Sequence, residues 1–125
     1  MKQAQDVLTI RTHHQGHHDI TGEIDAWLEK QKVTTGLVIM LIQHVLASMT
    51  IRNKSDRDDL HALFKQFESG QSLPGQSAVP LYSTQLSIPV RGGKMALGPR
   101  QAVCVHEDRE TGGQSRHIVV HFIGE

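Results

Sequence analysis

Along the chain, the first regular signal is DVLTIRT, residues 6–12, where apolar and polar positions alternate around β-branched side chains. A period of two predicts a strand. The period then lengthens. In DITGEIDAWLEKQK, residues 19–32, Ile24, Trp27, Leu28 and Gln31 recur at helical spacing, which predicts a helix with a narrow apolar stripe. Asp19 or Thr21 is its expected cap, because a short side-chain oxygen accepts an N–H that the first turn leaves unbonded. Thr35-Gly36 reads as the turn behind it. GLVIMLIQ, residues 36–43, is continuously apolar and predicts a strand covered on both faces. LASMTI, residues 46–51, predicts the next.

Ser55-Asp56-Arg57-Asp58 has the form of a capping box, and Leu60, Leu63, Phe64 and Phe67 follow at helical spacing. A second helix is therefore expected, ending near Ser69-Gly70. Residues 69–80 are rich in Gly, Pro and Ser and read as a loop. QLSIPVRGGKMALG predicts a hairpin turning at Gly92-Gly93, where a tight turn needs positive φ. QAVCVHE and RHIVVHFI close the chain as strands joined by DRETGGQS. The order β-α-β-β-α-loop-β-β-β-β describes one α+β domain over residues 1–125, not a doubly wound sheet.

Charge removes several functions. Lys and Arg together number 13, as do Asp and Glu, so the net charge is zero. That argues against a protein holding nucleic acid by non-specific charge, and gives no support to an electrostatic membrane anchor. The longest apolar run, residues 37–42, is far too short to span a bilayer. MKQAQDV carries no apolar signal region, and Cys104 is the only cysteine, so neither an internal disulfide nor a cysteine-based zinc site can form. A cytoplasmic location is expected.

The candidate chemistry lies in histidines and cations. His13, His14, His17 and His18 fall within six residues. Neutral imidazole is a ligand for zinc, copper or nickel, which makes His17 and His18 the candidates for a divalent metal. Adjacent residues on a strand point to opposite faces, however, and surface histidines are the plainer reading. His44 interrupts two apolar strands, where an unpaired polar side chain is costly. It is a candidate for proton transfer, or for hydrogen bonding to a phosphate oxygen; the alternative is a core histidine satisfied by a neighbouring group. Cys104, among valines, is expected to be buried and inert.

Four stretches, GHHDITGEI (16–24), TGLVIMLIQHVLASMTI (35–51), LSIPVRGGKMALGPRQAV (86–103) and RHIVVHFIGE (116–125), together resemble the YjbQ-like family, also described as secondary thiamine-phosphate synthases. The resemblance runs through nearly the whole chain in order. It implies a compact α+β subunit, a mostly antiparallel sheet or sandwich with two main helices, that assembles as a homotrimer. It also implies a histidine-lined pocket near the subunit boundary and a weak thiamine-phosphate synthase activity.

The site pattern is thinner than the fold pattern. His44 matches the family's strand-end histidine, but Val45 and Leu46 replace the hydroxyl residues that follow it. Arg52-Asn53-Lys54 stands for Asn-Glu-Asn, Gln76 occupies a histidine's place, and Pro99-Arg100 replaces Thr-Trp. Asp56, Asp58, Leu97, Gly98, Gln101 and Glu107 are kept. The resemblance thus points to His44 and Gln101 as catalytic candidates. Arg52, Asn53, Gln76, Arg100, Glu107 and Arg116 are the candidates for holding a small anionic ligand, with Lys54 beside them if the cations cluster. Two readings stay open: an enzyme or relic of one, acting on a small phosphorylated molecule at a pocket containing His44, and a non-catalytic homotrimeric binding or scaffold protein.

Overall fold

The computed structural model describes residues 1–54, 82–109 and 113–125. Within them the elements are β1 (Lys2–Thr12), β2 (Gly16–Asp19), α1 (Thr21–Gln31), β3 (Thr35–Ile42), β4 (Ala47–Asn53), β5 (Gln85–Arg91), β6 (Lys94–Met95), β7 (Gln101–Glu107) and β8 (Gln114–Gly124). Five strands form one sheet in the order β1-β8-β3-β5-β6, and three form a second in the order β2-β7-β4. Every strand pairing among the described residues is antiparallel. The second helix expected after Ser55, and the loop at 69–80, lie outside the described residues.

One core joins the two sheets and the helix. Val38, Met40, Ile118, Val120 and Phe122 come from the five-stranded sheet, Met49, Val103 and Val105 from the three-stranded one, and Ile24, Trp27 and Leu28 from α1. The expected apolar stripe is therefore the buried face of the helix. Two side chains fix its position: Trp27 Nε1 donates to Asp6 Oδ2 at 2.8 Å, and Asp25 Oδ1 accepts from the Met95 N–H at 3.0 Å. The expected hairpin forms, with Gly92 and Gly93 at φ 63° and 81°.

Several expectations change. β1 begins at Lys2, four residues before the alternating stretch, because its whole length pairs with β8. Backbone hydrogen bonding there replaces side-chain burial, which is the signal that periodicity reads. The histidine stretch contains a strand of its own, β2. Neither Asp19 nor Thr21 caps α1: Ile20 holds the cap position without a side-chain bond, while Asp19 Oδ1 accepts from the Thr21 N–H and Thr21 Oγ1 from the Val103 N–H. The Thr21 hydroxyl thus ties the helix entry to β7.

Thr35-Gly36 opens β3 and is not a turn. Gly36 faces Gly124 across the β3–β8 pairing. A Cβ on Gly36 would collide with the Ile123 carbonyl oxygen and come within 2.8 Å of the Phe122 ring. Only glycine permits that approach. β3 is also covered on one face rather than two. Val38, Met40 and Ile42 are buried, Leu37 and Ile39 are half-buried, and Leu41 is exposed.

At one end of the core, Glu107 and Arg116 form a buried ion pair, 1% and 3% exposed. Arg116 donates from Nε to Oε1 at 2.7 Å and from its terminal nitrogen to Oε2 at 2.8 Å. The Thr12 hydroxyl donates to Oε1 at 2.6 Å and the Arg109 N–H to Oε2 at 3.2 Å. The carboxylate is thereby fully engaged, and β7 of one sheet is tied to β1 and β8 of the other. The Arg116 hydrogen bonds hold the Glu107 carboxyl at about 2, burial opposing them and Thr12 assisting.

A carboxyl held low in the folded state stabilises the fold above its unfolded value near 4.5, and that contribution is lost as pH falls from there toward 2. Glu107→Leu alone strands the guanidinium and is expected to cost about 3–5 kcal/mol in urea unfolding. Glu107→Leu combined with Arg116→Met should recover most of that loss and flatten the acid-side fall in stability. A double variant as unstable as the single one would contradict this account.

Candidate functional site

The outer face of the three-stranded sheet carries the polar cluster. Strand register sets it. His17 of β2 pairs with His106 of β7 and Asp19 with Cys104, while Ser48, Thr50 and Arg52 of β4 pair with His106, Cys104 and Ala102. Directly paired residues share a face, so these side chains form one surface. The opposite face of β7 carries Val103, Val105 and Glu107 into the core.

Tyr82 lies over this surface, positioned by a bridge between Ser83 and Met49 of β4. Its hydroxyl shares a 3.0 Å hydrogen bond with His17 Nε2. The Tyr82 ring stands 4.6 Å from His106 and 5.7 Å from His17, and the two imidazoles are 4.7 Å apart. His106 Nε2 meets Asp108 Oδ1 at 2.9 Å, whereas its Nδ1 is buried and has no hydrogen-bond partner among the described residues. Burial first, then the charges of Arg52, His106 and His18, lower His17 to about 4. It is a neutral imidazole at pH 7. Burial raises Tyr82, so the phenol keeps its proton, and burial pushes the Cys104 thiol up to about 11. A thiol so placed is unreactive, as expected.

A cleft of about 370 Å³ opens beside the ring cluster, lined by His14, His17, Asp19, Cys104 and the Arg52-Asn53-Lys54 run. Three of the anticipated cationic or polar residues therefore meet at one place. Arg100 is adjacent in backbone terms, its carbonyl accepting from the Lys54 N–H at 2.6 Å. Arg116 is not part of this group: it and Glu107 are closed into their own buried pair. Gln76 lies outside the described residues.

His44 sits in the β3–β4 connection, where its Nδ1 accepts from the Leu46 N–H at 3.0 Å. It does not line the cleft. Gln101 begins β7, and its Oε1 accepts from the Gly98 N–H at 2.7 Å, closing the turn in front of the strand. His17 and His18 lie on opposite faces of β2, and His18 Nε2 meets the His14 carbonyl at 2.8 Å, so the two do not converge on a single ion. Among the described residues, no group of three or more His, Cys, Asp or Glu side chains is arranged to hold a metal. No helix among them is long and apolar enough to cross a membrane.

Sequence reasoning missed His106, Asp108 and Tyr82. For His106 the signal was present: like His44, it interrupts an apolar strand. Tyr82 reaches the site only through a long-range bridge, which leaves no local pattern.

Comparison with known proteins places this arrangement in a family. Residues 6–125 match the family model described as "UPF0047 protein YjbQ-like". The UPF0047 protein sll1880 of Synechocystis is 30% identical, over 99% of this chain and 94% of its own. The UPF0047 protein YjbQ of Escherichia coli O157:H7 is 29% identical, over 97% and 98%. Among solved structures, a YbjQ-like protein of unknown function from Sulfolobus solfataricus P2 superimposes with a TM-score of 0.73 at 24% identity, covering 99% of both chains. A hypothetical protein of Aeropyrum pernix K1 does so with a TM-score of 0.73 at 20% identity, covering 98% of this chain and 99% of its own. This chain belongs to the UPF0047 YjbQ-like family, whose function is not characterised.

Proposed function

We propose that the protein binds a small phosphorylated or otherwise anionic molecule in the cleft beside His17. The observation that supports this reading is the meeting of Arg52, Asn53 and Lys54 with the neutral imidazole of His17 in one concave site. A guanidinium offers paired donors that match phosphate geometry, and an ammonium adds a point charge. The cleft lies away from His44, so the anion site and the family's strand-end histidine are separate features here. Titration calorimetry with inorganic phosphate tests the proposal. Wild type should bind, and Arg52→Gln with Lys54→Gln should weaken binding about tenfold or more, as expected for loss of charged hydrogen bonds. Equal affinities would remove the cleft from consideration.

Catalysis is the weaker part of the reading. Thiamine-phosphate synthase-type activity, weak or lost, is what the family resemblance implies. Yet the two retained candidates, His44 and Gln101, are each tied to a neighbouring backbone N–H, through Nδ1 and the amide oxygen, and neither lines the cleft. That favours a non-catalytic binding or scaffold protein. A sensitive synthase assay should give the same background for wild type and His44→Ala; turnover that vanishes with His44 would restore the enzyme reading.

Self-association, as a homotrimer, completes the proposal. The outer face of the five-stranded sheet carries Val7, Val119 and Leu41 in one row, and Ile39, Leu37 and Ile123 in the next two. Val7 is 56% exposed and Leu41 is 42% exposed. Gln3, Gln5 and His121 interrupt these rows, and the exposed apolar side chains between them support an interface that is apolar with polar contacts set into it. Light scattering should report a trimer at micromolar concentration, and Leu41→Asp should shift it toward monomer. A monomeric wild type would overturn the assembly.

A further inference from the structure

We infer that His17 is a proton-linked anion contact: an anion seated against Arg52 and Lys54 draws a proton from solvent onto the His17 imidazole, so binding and protonation occur together. This rests on the anion-binding reading above and adds its control by pH.

The geometry carries it. His17 lines the same cleft as Arg52 and Lys54, and is held there by strand pairing with His106 and by the Tyr82 hydroxyl on Nε2. Its Nδ1 makes no hydrogen bond among the described residues. The charges that act on the ring are those of Arg52, His106 and His18, and among the described residues Asp19 is the one carboxylate in the cleft lining. Arg52 comes from β4 and Lys54 directly follows that strand, His106 and the thiol of Cys104 come from β7, and His14 precedes β2. On its own strand the neighbours are His18 and Asp19.

The nearby carboxylates are committed elsewhere. Asp108 is paired with His106 Nε2, and Asp19 Oδ1 accepts from the Thr21 N–H. A second depression, lined by His17 itself with His18 and Asp19, also brings in Arg11, His13 and Glu23 of α1. Among the described residues, however, no carboxylate is hydrogen-bonded or ion-paired to the His17 ring.

An anion in the cleft changes the sign of the nearest charge. An opposite charge within about 4–6 Å favours the charged form of an imidazole. His17, neutral above about 4 in the unliganded protein, then takes up a proton at higher pH. Reciprocity follows: if the anion promotes protonation, protonation tightens the anion by the same factor. Affinity therefore rises as pH falls from neutrality toward the unliganded value. A protonated His17 carries a proton on both ring nitrogens, so Nδ1 is then a donor whichever neutral tautomer precedes it.

Sulfate is the appropriate probe, because it does not itself titrate in this range. Calorimetry would be run at constant ionic strength, at pH 7.5 and 5.5, in pairs of buffers with different ionisation enthalpies. For wild type the expected result is net proton uptake on binding and an affinity about fivefold or more higher at pH 5.5. His17→Gln keeps a polar partner for Tyr82 but cannot be protonated, and thermal unfolding would check its fold. In this variant the pH dependence and the proton uptake should both disappear, while His117→Gln, on β8 and outside the cleft, should retain them. Wild-type binding without proton uptake, or uptake that persists in His17→Gln, would overturn the inference and leave the anion site standing. Absence of sulfate binding at both pH values would overturn the anion reading, and this inference with it.

Discussion

The buried Glu107–Arg116 pair is the constraint on which the rest of the molecule depends. Two charges taken out of water are tolerable only when each is fully bonded. Here the carboxylate receives Arg116 twice, the Thr12 hydroxyl and the Arg109 N–H. Those donors come from β1, β8 and the end of β7, so the pair decides how the two sheets meet. It also decides the register of β7. With Glu107 pointing into the core between the sheets, His106 and Cys104 must lie on the opposite face of β7, because a one-residue slip would exchange the faces. The polar surface of the three-stranded sheet is the reverse side of this core contact.

The five-stranded sheet solves a different problem. Gly36 and Gly124 let β3 and β8 approach beneath the Phe122 ring, closer than any side chain would allow. That draws Val38, Met40, Val120 and Phe122 into a tight inner layer. The alternate residues of the same strands, Leu37, Ile39, Leu41 and Val119, are then directed outward. The continuous apolar run of β3 thus contains two faces with different fates, one sealed within the chain and one available to another molecule. Composition fits this division: with aromatics at 4%, the inner layer is built from aliphatic side chains and close backbone approach.

Much of this was legible beforehand. The strand read at QAVCVHE, the helical spacing of Ile24, Trp27 and Leu28, and the Gly92-Gly93 turn each correspond to an observed element. These are local signals with local causes. The division into two sheets was not legible, because pairings such as β1 with β8 join the ends of the chain. Nor was the role of Arg116, which looks in sequence like one more cation beside Arg52, Lys54 and Arg100. Its burial depends on Glu107 and Thr12, which are distant in sequence. For the candidate site, Arg52, Asn53 and Lys54 line one cleft with His17, whereas His44, Gln101 and Arg116 lie outside its lining.

The histidines show why counting residue types misleads and alternation does not. His13, His14, His17 and His18 look like a metal centre in one dimension. Pleating separates His17 from His18, and the His14 carbonyl occupies the His18 ring nitrogen. What remains at the cleft is one imidazole, His17, pressed between a phenol and a second imidazole and facing Arg52. Burial first, and then the charges of Arg52, His106 and His18, keep this ring neutral. This cationic neighbourhood of His17 arises in a chain of zero net charge, from the register of three short strands rather than from composition.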